Sequence, residues 1–125
     1  MHRSRIGVVL IDHPASSYDA AGAFWASASG STLAPEDETY SSVTVLPGGV
    51  KLEAQRLSDD TTARIHLDIE TDDVRAEVAR VVALGATVVE DRAGYVILTD
   101  PGGLVFCVVP VQTGADFEEH AVTWT

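Results

Sequence analysis

The chain repeats itself, and the repeat limits what it can fold into more than any other feature does. RIGVVLID at 5–12 aligns with RIHLDIET at 64–71, at an offset of 59. SGSTL at 29–33 aligns with LGATV at 84–88 (offset 55), and LPGGVKLE at 46–53 with DPGGLVFC at 100–107 (offset 54). The first copy therefore carries about four extra residues before its helix. Duplicated units of this size usually build one shared core.

Each copy reads in the same order. In the first, a strand at 6–11 leads to a helix over 17–29, with Ser16 or Ser17 as its cap and Gly30 as its stop. Tyr18, Ala21, Trp25 and Ala28 fall on one helical stripe, which puts Trp25 and neighbouring Phe24 in the core. Strands follow at 31–34, 42–46 and 50–57, the last two joined by PGG. In the second copy a strand at 64–70 precedes a helix over 73–84. Asp72 and Asp73 sit at its start, Gly85 at its end, and Val74, Val78, Val81 and Val82 form its apolar stripe. Strands are expected at 86–90, 95–99 and 104–109. The loops at 35–39 and 58–62 are polar and expected to be solvated.

The strand at 64–70 carries the most informative side chains. Alternation puts Ile65, Leu67 and Ile69 on one face, expected to be buried, and His66, Asp68 and Glu70 on the other. A polar face of this kind can meet water, a ligand, a metal ion or a partner subunit. His66 and Asp68 could also form a proton-transfer pair. His13 is expected in an exposed turn, and His2 and His120 lie too near the ends to be good catalytic candidates.

Composition removes several classes of function. With 125 residues there is room for one domain. A net charge of −11 repels phosphate backbones, so no nucleic-acid partner is expected. One cysteine, Cys107, rules out an intrachain disulfide. The apolar run near the N-terminus is too short for a signal-peptide core, and nothing approaches a membrane span, so a cytoplasmic protein without membrane contact is expected. The PGG turns join strands and do not open a helix, so they offer no phosphate cradle. No G-x-S-x-G elbow is present.

The order β-α-β-β-β twice, with HLDIETDDV opening the second copy and DPGG before its last strand, resembles the vicinal oxygen chelate superfamily: glyoxalases, bleomycin-resistance proteins and extradiol dioxygenases. The FW of the first helix and the HLD strand are most similar to small glyoxalase-like proteins. The resemblance covers about residues 5–110. It implies an α+β fold of two tandem βαβββ modules, forming a cupped mixed sheet with flanking helices. One domain then spans 1–125: module one at about 5–57, module two at about 64–110, and a C-terminal tail at 111–125. A homodimer is implied as well. In the tail, Phe117 and Trp124 either cover the cleft, meet a neighbouring subunit, or belong to a disordered end.

In such proteins metal ligands come from four equivalent strand positions, which fall here on Gly7, Glu53, His66 and Cys107. Glycine offers no side-chain ligand, and cysteine stands where glutamate is usual. Glu53 and His66, with Cys107 as third donor, are the candidate metal ligands, a set that suits zinc better than a hard ion. The favoured expectation is a small-molecule-binding protein with a degenerate metal site and no cofactor. Its pocket would draw on Glu53, Gln55, His66, Asp68 and Cys107, with an acidic bias toward cationic or hydrogen-bond-donating ligands. The alternative is a lyase, isomerase or dioxygenase using divalent zinc, nickel or manganese. A structural or regulatory subunit with a vestigial pocket is the third reading.

Overall fold

The computed structural model describes all 125 residues as nine strands and three helices, an α+β fold with the βαβββ order present twice. It divides into two compact units, Val8–Ile65 and Met1–Gly7 with His66–Thr125. The opening strand β1 (His2–Pro14) contributes to both, its first residues to one unit and its remainder to the other.

In the Val8–Ile65 unit, β1 is followed by α1 (Ala15–Ala28), β2 (Ala34–Pro35), β3 (Tyr40–Leu46) and β4 (Val50–Leu57). The strand order is β2-β3-β4-β1. β4 runs parallel to β1, from Val8 beside Lys51 to Pro14 beside Leu57, and antiparallel to β3. α1 packs on β3 and β4 through Tyr18 and Ala26 against Val43 and Ala54, with Leu33 and Leu52 at the margin. Tyr18 buries its ring while its hydroxyl meets Ser41 Oγ at 2.6 Å, which satisfies the one polar atom it takes inside.

This helix departs from the sequence expectation in two ways. Its buried stripe is Tyr18, Gly22 and Ala26, so Trp25 and Phe24 are 42% and 61% exposed and stack edge to face on the outside. Small residues at 22 and 26 let the helix approach the sheet closely, where a Trp25-centred stripe would hold it off. Neither Ser16 nor Ser17 caps the helix with its side chain. Instead Asp59, from the loop after β4, accepts the Ser16 N–H at 2.8 Å, and that bond lowers the Asp59 carboxyl pKa. His13 also differs from expectation: it belongs to β1 and is half-buried.

In the other unit the order is β5-β8-β7-β6, formed by β5 (Arg64–Thr71), β6 (Thr87–Arg92), β7 (Tyr95–Thr99) and β8 (Val105–Pro110). β5 and β8 are parallel and the other neighbours antiparallel. α2 (Val74–Ala83) is capped as its sequence suggests, with the Asp73 side chain accepting from Ala76 N at 3.0 Å. It buries Val81 against Val96, Leu98, Phe106 and Val108, with Leu67, Ile69, Val74 and Val78 beside them. Val82, expected in the stripe, is 42% exposed, and Glu77 takes a buried place instead. Glu77 survives there because Arg80 donates two bonds, at 2.9 and 2.7 Å, and His2 Nε2 lies 2.7 Å away.

The tail is ordered. α3 (Ala115–His120) buries Phe117 completely, and β9 (Val122–Trp124) pairs antiparallel with His2–Ser4. Trp124 donates its indole N–H to Ser4 Oγ at 2.8 Å, and the Arg80 guanidinium lies 3.8 Å over its ring. The tail thus packs within its own unit.

Gly7 sits in a tight position. A Cβ there would collide with Cγ, Cδ and Oε2 of Glu70, a fully buried side chain. Gly7→Ala is therefore expected to destabilise the protein by roughly 1–3 kcal/mol, the usual cost of overpacking a core. Urea unfolding followed by circular dichroism reads this directly, and an unchanged midpoint would show that Glu70 moves aside freely.

Candidate functional site

On β5 the polar face is the buried one. His66, Asp68 and Glu70 are 7%, 8% and 0% exposed, whereas Ile65, expected inside, is 55% exposed. Leu67 and Ile69 pack toward α2, so alternation turns His66, Asp68 and Glu70 to the side of the sheet away from that helix. Cys107 lies beside Asp68 in register, and its neighbours Phe106 and Val108 face the helix, which sends its thiol to the same side. In the other unit Leu52 and Ala54 pack toward α1, leaving Lys51, Glu53 and Gln55 on the helix-free face of β4. Gln55 there donates to Tyr40 Oη at 3.2 Å.

Three expected site residues meet within one unit. A ligand-capable atom of each of His66, Asp68 and Cys107 lies within 4.8 Å of the other two. His66 Nε2 is 3.6 Å from Asp68 Oδ1, and the Cys107 thiol, in no disulfide, is half-buried. An imidazole nitrogen, a carboxylate oxygen and a thiolate sulfur are zinc donors, so this set fits a borderline-soft divalent ion, while a hard ion gains little from the sulfur. Glu53 and Gln55 belong to the other unit.

At Gly7, the space a side chain would take is filled by that of another residue. Glu70 lies over it, and every bond around its carboxylate is directed inward. Oε2 accepts from Arg5 Nε at 2.8 Å and from Thr113 Oγ1 at 2.5 Å. Oε1 accepts the backbone N–H groups of Gln112 and Thr113 at 2.8 and 3.0 Å. Arg5 also donates to Thr113 Oγ1 at 3.0 Å, which closes a ring of bonds. Burial pushes the Glu70 carboxyl up, but the bonds from Arg5, Thr113 and Gln112 outweigh it and hold the pKa below the ordinary 4.5. Sequence reasoning put Glu70 on the polar face without giving it a role. The available signal was the pairing of a glycine at one repeat position with an unexplained glutamate on the matching strand.

Two βαβββ units, each with helices on one face and polar donors on the other, define a small α+β protein of the paired-module class. Residues 8–109 match the family model described as a glyoxalase-like domain. The chain belongs to that family and, through it, to the vicinal oxygen chelate superfamily. A comparison with curated proteins gives no match. Among solved structures, the chain is similar to a Mn(II)-bound glyoxalase from Novosphingobium aromaticivorans: TM-score 0.61, 22% identity, covering 90% of this chain and 43% of that one. It is also similar to an NAD-dependent benzaldehyde dehydrogenase from Legionella pneumophila: TM-score 0.60, 12% identity, 84% of this chain and 98% of that one. Likeness at these identities is likeness of fold, and the chain spans less than half the length of the manganese protein. No helix is long and apolar enough to cross a membrane.

The lowered Glu70 pKa sets a direction for acid stability. A carboxyl whose folded pKa lies below its unfolded value contributes stability above the unfolded value, near 4.5, and loses it as pH falls toward the folded one. Glu77 is shifted the same way, burial raising it and Arg80 and His2 lowering it further. Stability should therefore fall below about pH 4.5, and Glu70→Gln should flatten that fall while lowering stability at neutral pH. Denaturation midpoints taken from pH 7 to pH 3 test this; parallel curves for the two proteins would remove Glu70 from the account.

Proposed function

We propose that the protein binds a small molecule in the manner of glyoxalase/bleomycin-resistance proteins, with the superfamily's metal site degenerate. The observation that carries this reading is Glu70 over Gly7: where a metal enzyme of this fold presents a ligand, this chain has a glycine and a carboxylate committed to Arg5, Thr113 and two backbone N–H groups. His66, Asp68 and Cys107 are the residues assigned to the ligand in their unit, and Glu53 and Gln55, on the helix-free face of β4, are assigned the same role in theirs. Two carboxylates and an imidazole favour a cation or a neutral donor of hydrogen bonds. The protein is further assigned a homodimeric state on family resemblance.

The second reading is a divalent-metal enzyme, a lyase, isomerase or dioxygenase, and the proximity of His66, Asp68 and Cys107 favours it. These three would hold the ion, and a bound ion would supply Lewis-acid polarisation of a substrate oxygen. In that setting Asp68 would also orient His66, and the half-buried thiol would have to ionise on binding.

One experiment separates the two readings. Untagged protein purified without chelator, then exposed to zinc, nickel or manganese and dialysed, is expected to retain far less than one equivalent by elemental analysis. Near-stoichiometric metal that His66→Ala removes would replace the binding reading with the enzyme one. In parallel, a thermal-shift screen of cationic and aromatic compounds should yield binders. A compound at about a hundred times its Kd adds about 2.7 kcal/mol of stability, several degrees in Tm. Asp68→Asn should abolish that shift; binders indifferent to both Asp68→Asn and His66→Ala would overturn the assignment of this face.

A further inference from the structure

We infer a second binding site, separate from the helix-free face, in the step between α2 and the β6–β7 hairpin: a groove for a small monocarboxylate with an aromatic or branched apolar body.

The groove follows from how α2 packs. The helix rests on β8 and β7, and β6, the outer strand of this sheet, has all six residues exposed. The step forms an open groove of about 490 Å³. Its apolar surface is Val74 and Val78 from α2, Val88 from β6 and Val96 from β7. Val96 is part of the core, and Val74 and Val78 pack against that core, so the floor is fixed in place. An apolar ring laid there displaces water from valine surface, the favourable term in such binding.

The charges on the lip choose the headgroup. The chain has 19 acidic and 8 basic residues, so carboxylates are in excess. Six of its seven arginines accordingly sit in ion pairs with Asp or Glu. The seventh is Arg75, exposed at the groove, which makes no hydrogen bond or ion pair within the chain. A guanidinium offers two parallel N–H donors, the geometry a carboxylate accepts. Arg92 adds positive charge, but Glu90 at 3.0 Å and Tyr95 Oη at 3.4 Å already hold it. Asp91, also lining the groove, repels a second negative charge. The unpartnered Arg75 guanidinium beside a valine floor favours a carboxylate on an apolar body, and Asp91 makes a dianion less favourable than a monoanion.

The test is an amide NMR titration of the full chain with naphthoate and with uncharged naphthamide. Naphthoate should give saturable shifts at Val74, Val78, Tyr95 and Val96, with naphthamide about tenfold weaker or more. Arg75→Gln should weaken naphthoate by about tenfold, leave naphthamide unchanged and keep the native spectrum, since that side chain bonds to nothing in the chain. His66→Ala should leave naphthoate binding in the groove unchanged, which keeps this site distinct from the one proposed on β5 and β8. Shifts confined to the surroundings of His66 and Cys107, equal affinity for acid and amide, or no saturation in the groove would each overturn the inference.

Discussion

The interior of the larger unit depends on one buried carboxylate. Glu70 has no exposure, and an ion taken out of water costs several kcal/mol unless its oxygens are fully bonded. Its partners come from two places far from it in sequence: Arg5, and residues 112–113, which supply two backbone N–H groups and the Thr113 hydroxyl. The bonds fix the direction in which the chain leaves β8, and that direction delivers α3 with Phe117 into the core. The same carboxylate needs a residue without a Cβ opposite it, which is the physical reason for Gly7. Truncating Glu70 would take an ion-pair partner from the buried Arg5 side chain, so the two residues are expected to behave as one unit.

Both modules divide their labour in the same way. One sheet face is given to a helix, through Leu52 and Ala54 in one and Leu67, Ile69, Phe106 and Val108 in the other. The other face carries the residues with chemistry. Burial of His66 and Asp68 on that face sets a low-dielectric surrounding, in which a hydrogen bond or ion contact counts for more than it would in water. It also means that any substitution there acts on stability as well as on binding.

Much of this was legible in the sequence, for definable reasons. The duplication and the period-two alternation of β4, β5 and β8 located the strands, and β4 and β7 occur over the residues expected. The DPGG turn is fixed locally, Asp100 Oδ1 accepting from Gly102 and Leu104 at 2.8 Å. What periodicity could not supply was the choice between competing faces. On α1 the stripe through Trp25 satisfied hydrophobicity, but close approach to the sheet selected Gly22 and Ala26. On β5 a polar face became an interior one because its partners, Arg5 and Thr113, lie more than forty residues away. Asp59 as the distant cap of α1, and the packing of α3 and β9, are of the same kind: long-range bonds leave little trace in a local pattern. At the site, His66, Asp68 and Cys107 were chosen from the sequence and lie together, whereas the structural use of Glu70 went unread.

The split of β1 between the units has a consequence for how the polypeptide emerges during synthesis. Val8–Ile65 is a continuous stretch, and the cluster of Tyr18, Ala26, Val43 and Ala54 lies within it. The other unit is discontinuous: His2 pairs with Trp124, and Arg5 waits for Glu70 and Thr113. Its first seven residues are made earliest and find their partners last. On a ribosome this imposes an order, with the continuous half able to consolidate while the discontinuous half stays open. Closing that long loop costs entropy before its contacts repay it.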